Sequence, residues 1–304
     1  MSAIHGAAQA DAKTILVVGD SISAAYGLKL EQGWVSLLQL RLHAQGYGYR
    51  VVNASVSGET TSGGLSRLPR ALALQKPSIV ILELGGNDGL RGLPLATTRS
   101  NLNDMVVDSS GRAYAGNFGF DLMAFAEPSP ANLIRIDPDG TASVAAEELL
   151  FPNGSVITPD GSTLIVGETA GARYTAFTIA EDGSLTDRRV WAQVAPEPDI
   201  GGSLEATLAQ LQFGPDGCTL DAEGMIWAAD EVNGRLARVA EGGEIVDEIP
   251  SPEGLNFFAC ALGGEDGCTM LICAAPDFLE ANRVNARDAV LVTTRVDVPH
   301  AGLP

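Results

Sequence analysis

The sequence is poor in positive charge, in histidine and in cysteine. Lysine and arginine together number 19 against 38 aspartate and glutamate residues, so the net charge is −19. A protein of this charge repels a polyanion, which argues against a nucleic-acid partner and favours hard cations. Three histidines, and four cysteines without a close Cys-x-x-Cys pair, argue against a zinc site of the Cys/His type. No apolar run approaches the roughly 18 residues of a membrane span, so no such span is predicted.

The charge changes abruptly near residue 102. Residues 1–102 hold 9 basic and 6 acidic side chains, whereas residues 103–304 hold 10 basic and 32 acidic ones. A step of this size indicates two units of different origin. We therefore predict a tail at 1–12, an α/β segment at 13–102 and an all-β segment at 103–304. The tail lacks the basic and apolar regions of a signal peptide, which leaves the compartment open: cytoplasmic as written, with a periplasmic ancestry of the α/β segment as the alternative.

The first segment alternates strand-like and helix-like patterns. Residues 14–18, 50–54 and 78–84 are short apolar runs typical of buried strands. Residues 33–44 and 62–74 lie between these runs and read as helices, the first with apolar side chains at helical spacing. Strands that alternate with helices predict a parallel sheet covered by helices, in which ligands bind beyond the carboxyl ends of the strands.

The second segment changes to short alternating strands joined by recurring turns. One turn type has its glycine at Gly111, Gly161, Gly224 and Gly267, and a second set falls between them at Gly140, Gly183 and Gly243. Two hairpins in each period of about 45 residues are typical of four-stranded propeller blades. At that period the segment provides roughly four to four and a half blades, which predicts an incomplete propeller.

Three short blocks stand at the carboxyl ends of the predicted strands of the first segment. They are GDSISAAYG at 19–27, SGET at 57–60 and GGNDG at 85–89. A serine on a tight strand-to-helix turn can expose its hydroxyl beside helix N-terminal amides, which suits a nucleophile next to an oxyanion site. For the first block alone, a helix N-cap is the alternative interpretation, because Asp-Ser after glycine is common there.

Residues 12–102, which include VVNASVSGETTSGGLSRLP and LELGGNDGLRGLP, resemble the N-terminal half of an SGNH (GDSL-type) hydrolase. The resemblance is to the branch of arylesterases, lysophospholipases and acyl-CoA thioesterases. It implies a flavodoxin-like, three-layer α/β half-domain. It also implies Ser21 as the nucleophile, with the Ser21 amide, Gly58 and Asn87 as the oxyanion hole.

The same family takes its catalytic Asp and His from a late D-x-x-H block. A serine hydroxyl needs such a base, because alone it is a poor nucleophile at neutral pH. Asp297 and His300 in the DVPH segment have the required spacing. Two interpretations stay open: the segment ends a strand of the second unit, or the chain end returns to place His300 as base and Asp297 as its orienting partner.

Residues 103–304 resemble a propeller of the senescence-marker-protein, gluconolactonase and regucalcin type. The matching stretches are NDMVVDSSGRAYAGNFGFDL, FPNGSVITPDGSTLIVGET, GPDGCTLDAEGMIWAAD and FFACALGG. The resemblance implies an incomplete six-bladed propeller without its first blade. It implies Asn153 of PNG and Asp216 of PDG as ligands of a divalent metal (Ca, Mn, Mg or Zn), with Asn103 near the metal or substrate. As an alternative, PNG and PDG are ordinary turn tripeptides whose glycine takes a positive φ.

Both resemblances concern an acyl–oxygen bond. We therefore predict a carboxylic-ester hydrolase for a small-molecule lactone or ester, acting at a metal site of the propeller. The alternatives are a GDSL-type serine esterase or thioesterase that uses Ser21, and a fusion of two truncated hydrolases that is inactive or only binds. An unclosed propeller leaves edge strands, and two outcomes stay open: the strands of the first segment cover that edge, or the edge pairs with a second copy to form a homo-oligomer.

Overall fold

The structure is a computed structural model that describes residues 13–84, 102–139, 141–283 and 286–302. Contacts divide the chain into two units, Met1–Thr98 and Arg99–Pro304. The predicted tail, the GGNDG block with Asn87, and the turn glycine Gly140 lie outside the described residues. Within the described ranges, none of the helices combines the length and the apolar character that crossing a membrane would require.

The first unit contains a three-stranded parallel sheet. Its elements are β1 (Lys13–Gly19), α1 (Trp34–Ala44), β2 (Tyr49–Asn53), α2 (Thr61–Gln75) and β3 (Ile79–Glu83). The strand order is β2-β1-β3, and both pairings are parallel. The predicted alternation of three strands and two helices is confirmed, with every boundary within a few residues.

Burial differs sharply between the strands of this sheet. The apolar residues of the central strand β1, from Ile15 to Val18, are at most 5% exposed. By contrast Ile79, Val80 and Leu82 of β3 are 42%, 38% and 39% exposed, because β3 lies at an edge of the described sheet. Burial of β1 is thus the main apolar contribution that holds this unit together.

The second unit consists of antiparallel sheets arranged as propeller blades. Blade 1 contains β4 (Leu102–Val107), β5 (Ala113–Asn117), β6 (Ala131–Ile136) and β7 (Ala142–Leu149). Blade 2 contains β8 (Pro152–Ile157), β9 (Thr163–Glu168), β10 (Arg173–Ile179) and β11 (Leu185–Gln193). Blade 3 contains β12 (Pro215–Leu220), β13 (Ile226–Asp230), β14 (Arg235–Val239) and β15 (Ile245–Pro250). Blade 4, as far as it is described, contains β16 (Asn256–Gly263), β17 (Thr269–Ala275) and β18 (Val290–Arg295).

The blades follow one another along their first strands. β4 contacts β8, β8 contacts β12 and β12 contacts β16, while the later strands of each blade pair outward in order. Two short helices, α3 (Leu204–Leu208) and α4 (Glu280–Arg283), lie in the connections. The chain is therefore mostly β, with the four-bladed propeller-like arrangement that the repeat predicts.

The turn glycines of the repeat are confirmed as hairpin residues. The six that are described all have φ between +73° and +103°, and each lies between two paired strands: Gly111, Gly161, Gly183, Gly224, Gly243 and Gly267. This backbone region strains residues that carry a Cβ, which explains why glycine recurs at these positions.

Three apolar clusters join consecutive blades. Tyr114 and Leu164 are fully buried between blades 1 and 2, and Tyr174 packs with Ile226 between blades 2 and 3. The third cluster, around Trp227, joins blades 3 and 4. Because every cluster draws on two neighbouring blades, each blade is stabilised by burial against the next.

Buried ion pairs stabilise the hairpins between the second and third strands of blades 2 and 3. Glu168 at the end of β9 is fully buried and pairs with Arg173, and Asp230 at the end of β13 pairs with Arg235 in the same way. The four cysteines are free thiols, of which Cys260 is buried.

Candidate functional site

Ser21 lies in the turn that follows β1. Side chains build this turn: the buried Asp20 carboxylate accepts the Ile22 N–H at 3.0 Å, and the Ser23 hydroxyl donates to Glu83 at 2.8 Å. Because Glu83 ends β3, two neighbouring parallel strands fix the turn. Ser21 is half-buried at the carboxyl end of the sheet, where ligands of such sheets bind.

The SGET block lies at the same edge of the sheet. The Val56 N–H donates to the Gly19 carbonyl at 3.0 Å, which holds the segment after β2 against the segment after β1. Gly58 has a φ of +79°, a conformation that favours glycine. The structure thus brings the segments of Ser21 and Gly58 together, while Asn87 lies outside the described residues. Their oxyanion role stays a prediction.

The DVPH segment is bonded within the second unit. The Ala222 N–H donates to the Pro299 carbonyl at 2.8 Å, and the His300 N–H donates to the Gly267 carbonyl at 3.1 Å. The Nδ1 atom of His300 accepts the Gly302 N–H at 2.8 Å. A catalytic histidine whose Nε2 takes a serine proton instead donates from Nδ1 to its Asp. A triad role for Asp297 and His300 would therefore require this bond to break, and it stays a prediction.

A cavity of about 190 Å³ lies in the propeller unit. Its polar lining residues are Asn103, Asn153, Thr169, Thr207, Asp216 and Glu231. Its apolar lining residues are Phe118, Phe120, Leu122, Met123, Pro128, Phe151, Ala170, Leu204, Leu208, Leu211, Phe258 and Phe278. All three residues predicted for the metal and substrate site of the propeller therefore share this cavity.

Close backbone packing brings Asn153 and Asp216 to the same cavity. They occupy the second position of the neighbouring strands β8 and β12, each followed by a glycine. A Cβ on Gly154 would lie 2.2 Å from the Asp216 carbonyl oxygen, and a Cβ on Gly217 would lie 2.7 Å from the Ala259 Cβ. The interpretation of PNG and PDG as positive-φ turns is wrong, because both lie in strands and neither glycine has a positive φ. Here glycine lets adjacent strands approach.

Asn153 presents an unpaired oxygen. Its side chain is 4% exposed, and its Nδ2 donates to the Thr169 hydroxyl at 3.1 Å. That hydroxyl donates in turn to the Pro215 carbonyl at 2.6 Å, which fixes the orientation of the amide. The Asn153 Oδ1 atom is buried without a hydrogen-bond partner, and so is the Asn103 Nδ2 atom. Buried polar atoms without partners are rare and indicate a site where a ligand or ion completes them.

The acidic groups in and near the cavity disfavour one another's ionisation. Burial, followed by the charges of Glu231 and Asp104, raises the pKa of Asp216 to about 8, although a hydrogen bond from Asn153 opposes this. Burial and the charge of Asp230 raise the pKa of Glu231 to about 7, and burial raises the pKa of Asp104. No lysine, arginine or histidine is among the described residues that line the cavity. The cavity therefore opposes ionisation of its carboxyl groups, and no protein cation among the described lining residues offsets their charge when they ionise.

These groups fit a hard divalent cation. Carboxylate and amide oxygens are the ligands that such ions prefer, and a cation would pair the orphaned Asn153 Oδ1 atom and relieve the repulsion. In the described part of the chain, no cluster of three or more His, Cys, Asp or Glu side chains could hold a metal by itself. A cation held here would therefore need the amide of Asn153 beside the carboxylates.

Glu231 and Asp104 were not among the residues predicted from the sequence. Asp104 stands within the first stretch that carries the propeller resemblance, directly after Asn103, and Glu231 follows directly after the third stretch, which ends at Asp230. No sequence signal separates Glu231 from the other acidic residues. Its place emerges only in the structure, where it directly follows Asp230 of the Asp230–Arg235 pair, as Thr169 follows Glu168 of the Glu168–Arg173 pair.

Two known families match the chain. The SMP-30/Gluconolactonase/LRE-like region matches residues 86–276, which is more than half of the sequence. The chain belongs to this family. The GDSL-like Lipase/Acylhydrolase family matches residues 17–130. The chain is thus a two-part fusion, as the change in charge and in repeat pattern predicts.

Individual relatives match each part. Esterase TesA from Pseudomonas aeruginosa is 64% identical over 98 residues, which cover 32% of this chain and 49% of that protein. This chain spans about half the length of the esterase relatives it matches. The 6-deoxy-6-sulfogluconolactonase of Pseudomonas putida is 26% identical over 276 residues, or 89% of either chain. The calcium-binding protein regucalcin from Agrobacterium tumefaciens covers 67% of this chain and 63% of its own at 21% identity, and its TM-score of 0.52 supports the propeller fold.

Proposed function

We propose that the chain hydrolyses a lactone or another carboxylic ester in the cavity of the propeller unit. The observation that carries this proposal is the buried, unpaired Asn153 Oδ1 atom beside the Asp216 carboxylate in one cavity. The names of the lactonase relatives of the propeller part support the same bond type.

The cation of this site would be held by Asn153, Asp216 and Glu231. When bound, a divalent ion (Ca, Mn, Mg or Zn) supplies a Lewis acid that polarises the ester carbonyl and activates water. The Asn103 Nδ2 atom, a buried donor without a partner, orients the carbonyl oxygen of the substrate. The phenyl groups of the wall exclude bulk water from the reacting bond.

Proton release during lactone hydrolysis tests this proposal. Activity should disappear with a chelator, return with added cation, and be lost in Asp216→Ala. Calorimetric titration with Ca²⁺ provides a readout besides activity, and Asp216→Ala should abolish the binding that Asp247→Ala, an exposed control, retains. Lactone hydrolysis that survives both the chelator and Asp216→Ala would contradict the metal site.

A serine esterase at Ser21 is the second candidate. The bond between Val56 and Gly19 favours it, because this bond holds two blocks of the SGNH resemblance at one sheet edge. The sequence identity to the esterase relative supports this candidate. A flavodoxin-like layering of the first unit is proposed together with it. Hydrolysis of a short aryl ester should then survive the chelator and be lost in Ser21→Ala, while the exposed Ser66→Ala control retains it.

The role of His300, near the end of the chain, is tested in the same aryl ester assay. His300→Gln should abolish aryl ester hydrolysis if the DVPH segment supplies the base, and should leave it unchanged otherwise. A folded protein that cleaves neither lactone nor aryl ester would support the inactive fusion instead.

We also propose that the edge of blade 4 pairs with a second copy. In the described sheet β18 is the outermost of three strands, and Val290 and Leu291 on it are 44% and 69% exposed. Unpaired backbone groups beside exposed apolar side chains favour strand addition. Light scattering after size exclusion should show an oligomer that Leu291→Lys shifts toward the monomer, and a wild-type monomer at all concentrations would refute the pairing.

A further inference from the structure

Phenylalanine is concentrated in the wall of the propeller cavity. The chain has nine phenylalanines, and five of them line this cavity: Phe118, Phe120, Phe151, Phe258 and Phe278. The Phe118 and Phe151 rings meet edge to face with their centroids 4.8 Å apart, and Phe120 approaches Phe151 at 6.0 Å. Such a wall favours an apolar ligand over a strongly hydrated one.

The central ring of this group is held in place by the backbone. Phe151 has a φ of +59°, a conformation that bulky residues rarely adopt. Its carbonyl accepts the Thr169 N–H at 3.0 Å, and the preceding Leu150 N–H donates to the buried Glu168 carboxylate at 2.7 Å. The protein therefore maintains a strained conformation at a ring that faces the cavity, which is typical of a ligand-contacting position.

The hydroxyl groups of the lining are already engaged. Thr169 bonds to Pro215 and Asn153, and Thr207 donates to the Asp199 carbonyl at 3.1 Å. Once a cation takes the oxygens of Asn153, Asp216 and Glu231, the hydroxyls of a sugar lactone would find few free partners, and each unpaired buried hydroxyl lowers affinity by about tenfold. An anionic group would meet the carboxylates of the cavity with no lysine, arginine or histidine among its described lining residues.

We infer that this cavity takes a neutral lactone whose ring carries an alkyl or aryl substituent, in preference to a polyhydroxylated or anionic lactone. The inference rests on the proposed hydrolysis at this site. In this inference the ester group lies beside Asn103, Asp216 and Glu231, and the substituent packs against the phenylalanines.

Two lactones of equal ring size test the inference. Proton release in the presence of Ca²⁺ is measured with δ-decalactone and with D-glucono-δ-lactone, each corrected for spontaneous hydrolysis. We expect kcat/KM to be at least about tenfold higher for δ-decalactone. Phe278→Ala should lower that value by about tenfold and change the value for the sugar lactone less than about twofold. Phe125→Ala is the matched control, because Phe125 is 62% exposed and does not line the cavity.

The outcomes separate this inference from the proposed function. A sugar lactone hydrolysed as fast as δ-decalactone, or faster, overturns the inference and leaves the proposed hydrolysis standing. If neither lactone is hydrolysed, the proposed function fails, and calorimetric binding of the two lactones decides the inference alone. Binding of δ-decalactone that is tighter than that of the sugar lactone and weakened by Phe278→Ala supports it, and equal or absent binding overturns it.

Discussion

Replacing Asp216 with asparagine should stabilise the metal-free propeller. Its carboxyl group has an ordinary pKa of 3.8 and a pKa of about 8 in the folded protein, because burial and the neighbouring charges of Glu231 and Asp104 oppose ionisation. A raised folded-state pKa leaves stability fully present below pH 3.8 and removes it as the pH rises toward 8. In that window the unfolded chain releases a proton that the folded protein retains.

The magnitude follows from the width of the window. Each pH unit between the two pKa values lowers the free energy of unfolding by about 1.4 kcal/mol. Between pH 4 and pH 7 the loss from Asp216 is therefore about 4 kcal/mol. The amide of Asp216→Asn does not titrate, so the variant should match the wild type near pH 4 and exceed it by about 4 kcal/mol at pH 7.

Urea unfolding in chelator provides the assay. Fluorescence of the buried Trp191 and Trp227 reports on the propeller unit. Asp247→Asn, at an exposed position, serves as the matched control and should follow the wild type within about 0.5 kcal/mol at every pH. If the free energy of unfolding of Asp216→Asn falls between pH 4 and pH 7 as steeply as that of the wild type, the electrostatic description of the cavity is wrong.

Two further substitutions test the packing that positions the site. Arg173→Met should cost about 3–5 kcal/mol because it leaves the fully buried Glu168 carboxylate without its main cation, whereas Arg189→Met, at an exposed pair, should cost at most about 1 kcal/mol in the same urea assay. Gly154→Ala should cost about 1–3 kcal/mol and weaken Ca²⁺ binding in calorimetry, since its Cβ would lie 2.2 Å from a carbonyl oxygen of β12, whereas Gly263→Ala, with no atom within 4 Å, should be close to neutral. Equal effects within either pair would show that burial or close approach at these positions does not matter.

Local patterns made most of the fold predictable. In the first unit, apolar runs and helical spacing define three strands and two helices, because each pattern depends on neighbours in sequence. In the propeller, hairpin glycines recur since a positive φ is required wherever two strands turn tightly. The resemblance to known families then placed Asn103, Asn153 and Asp216, which share one cavity in the structure.

Features that depend on packing between blades could not be predicted in this way. Residues 103–304 contain 32 acidic side chains, so nothing in the sequence distinguishes Glu231, which lines the cavity, from the many that face solvent. The same holds for the phenylalanines, which come together from separate parts of the chain. For the two glycines after Asn153 and Asp216, the sequence suggested a positive-φ turn as the alternative, whereas the structure shows that both lie in strands and let neighbouring strands approach closely.

The proposed cation ligands lie at a single interface between blades, in a propeller of which four blades are described. The side chains proposed to hold the cation come from blades 2 and 3, and the close contact between β8 and β12 positions two of them. The apolar cluster around Tyr174 and Ile226 stabilises the same pair of blades. Cation binding should therefore depend on this one interface between blades more than on closure of a ring. A substitution in the cluster between blades 3 and 4 should then lower stability without removing the Ca²⁺ site, whereas one between blades 2 and 3 should affect both.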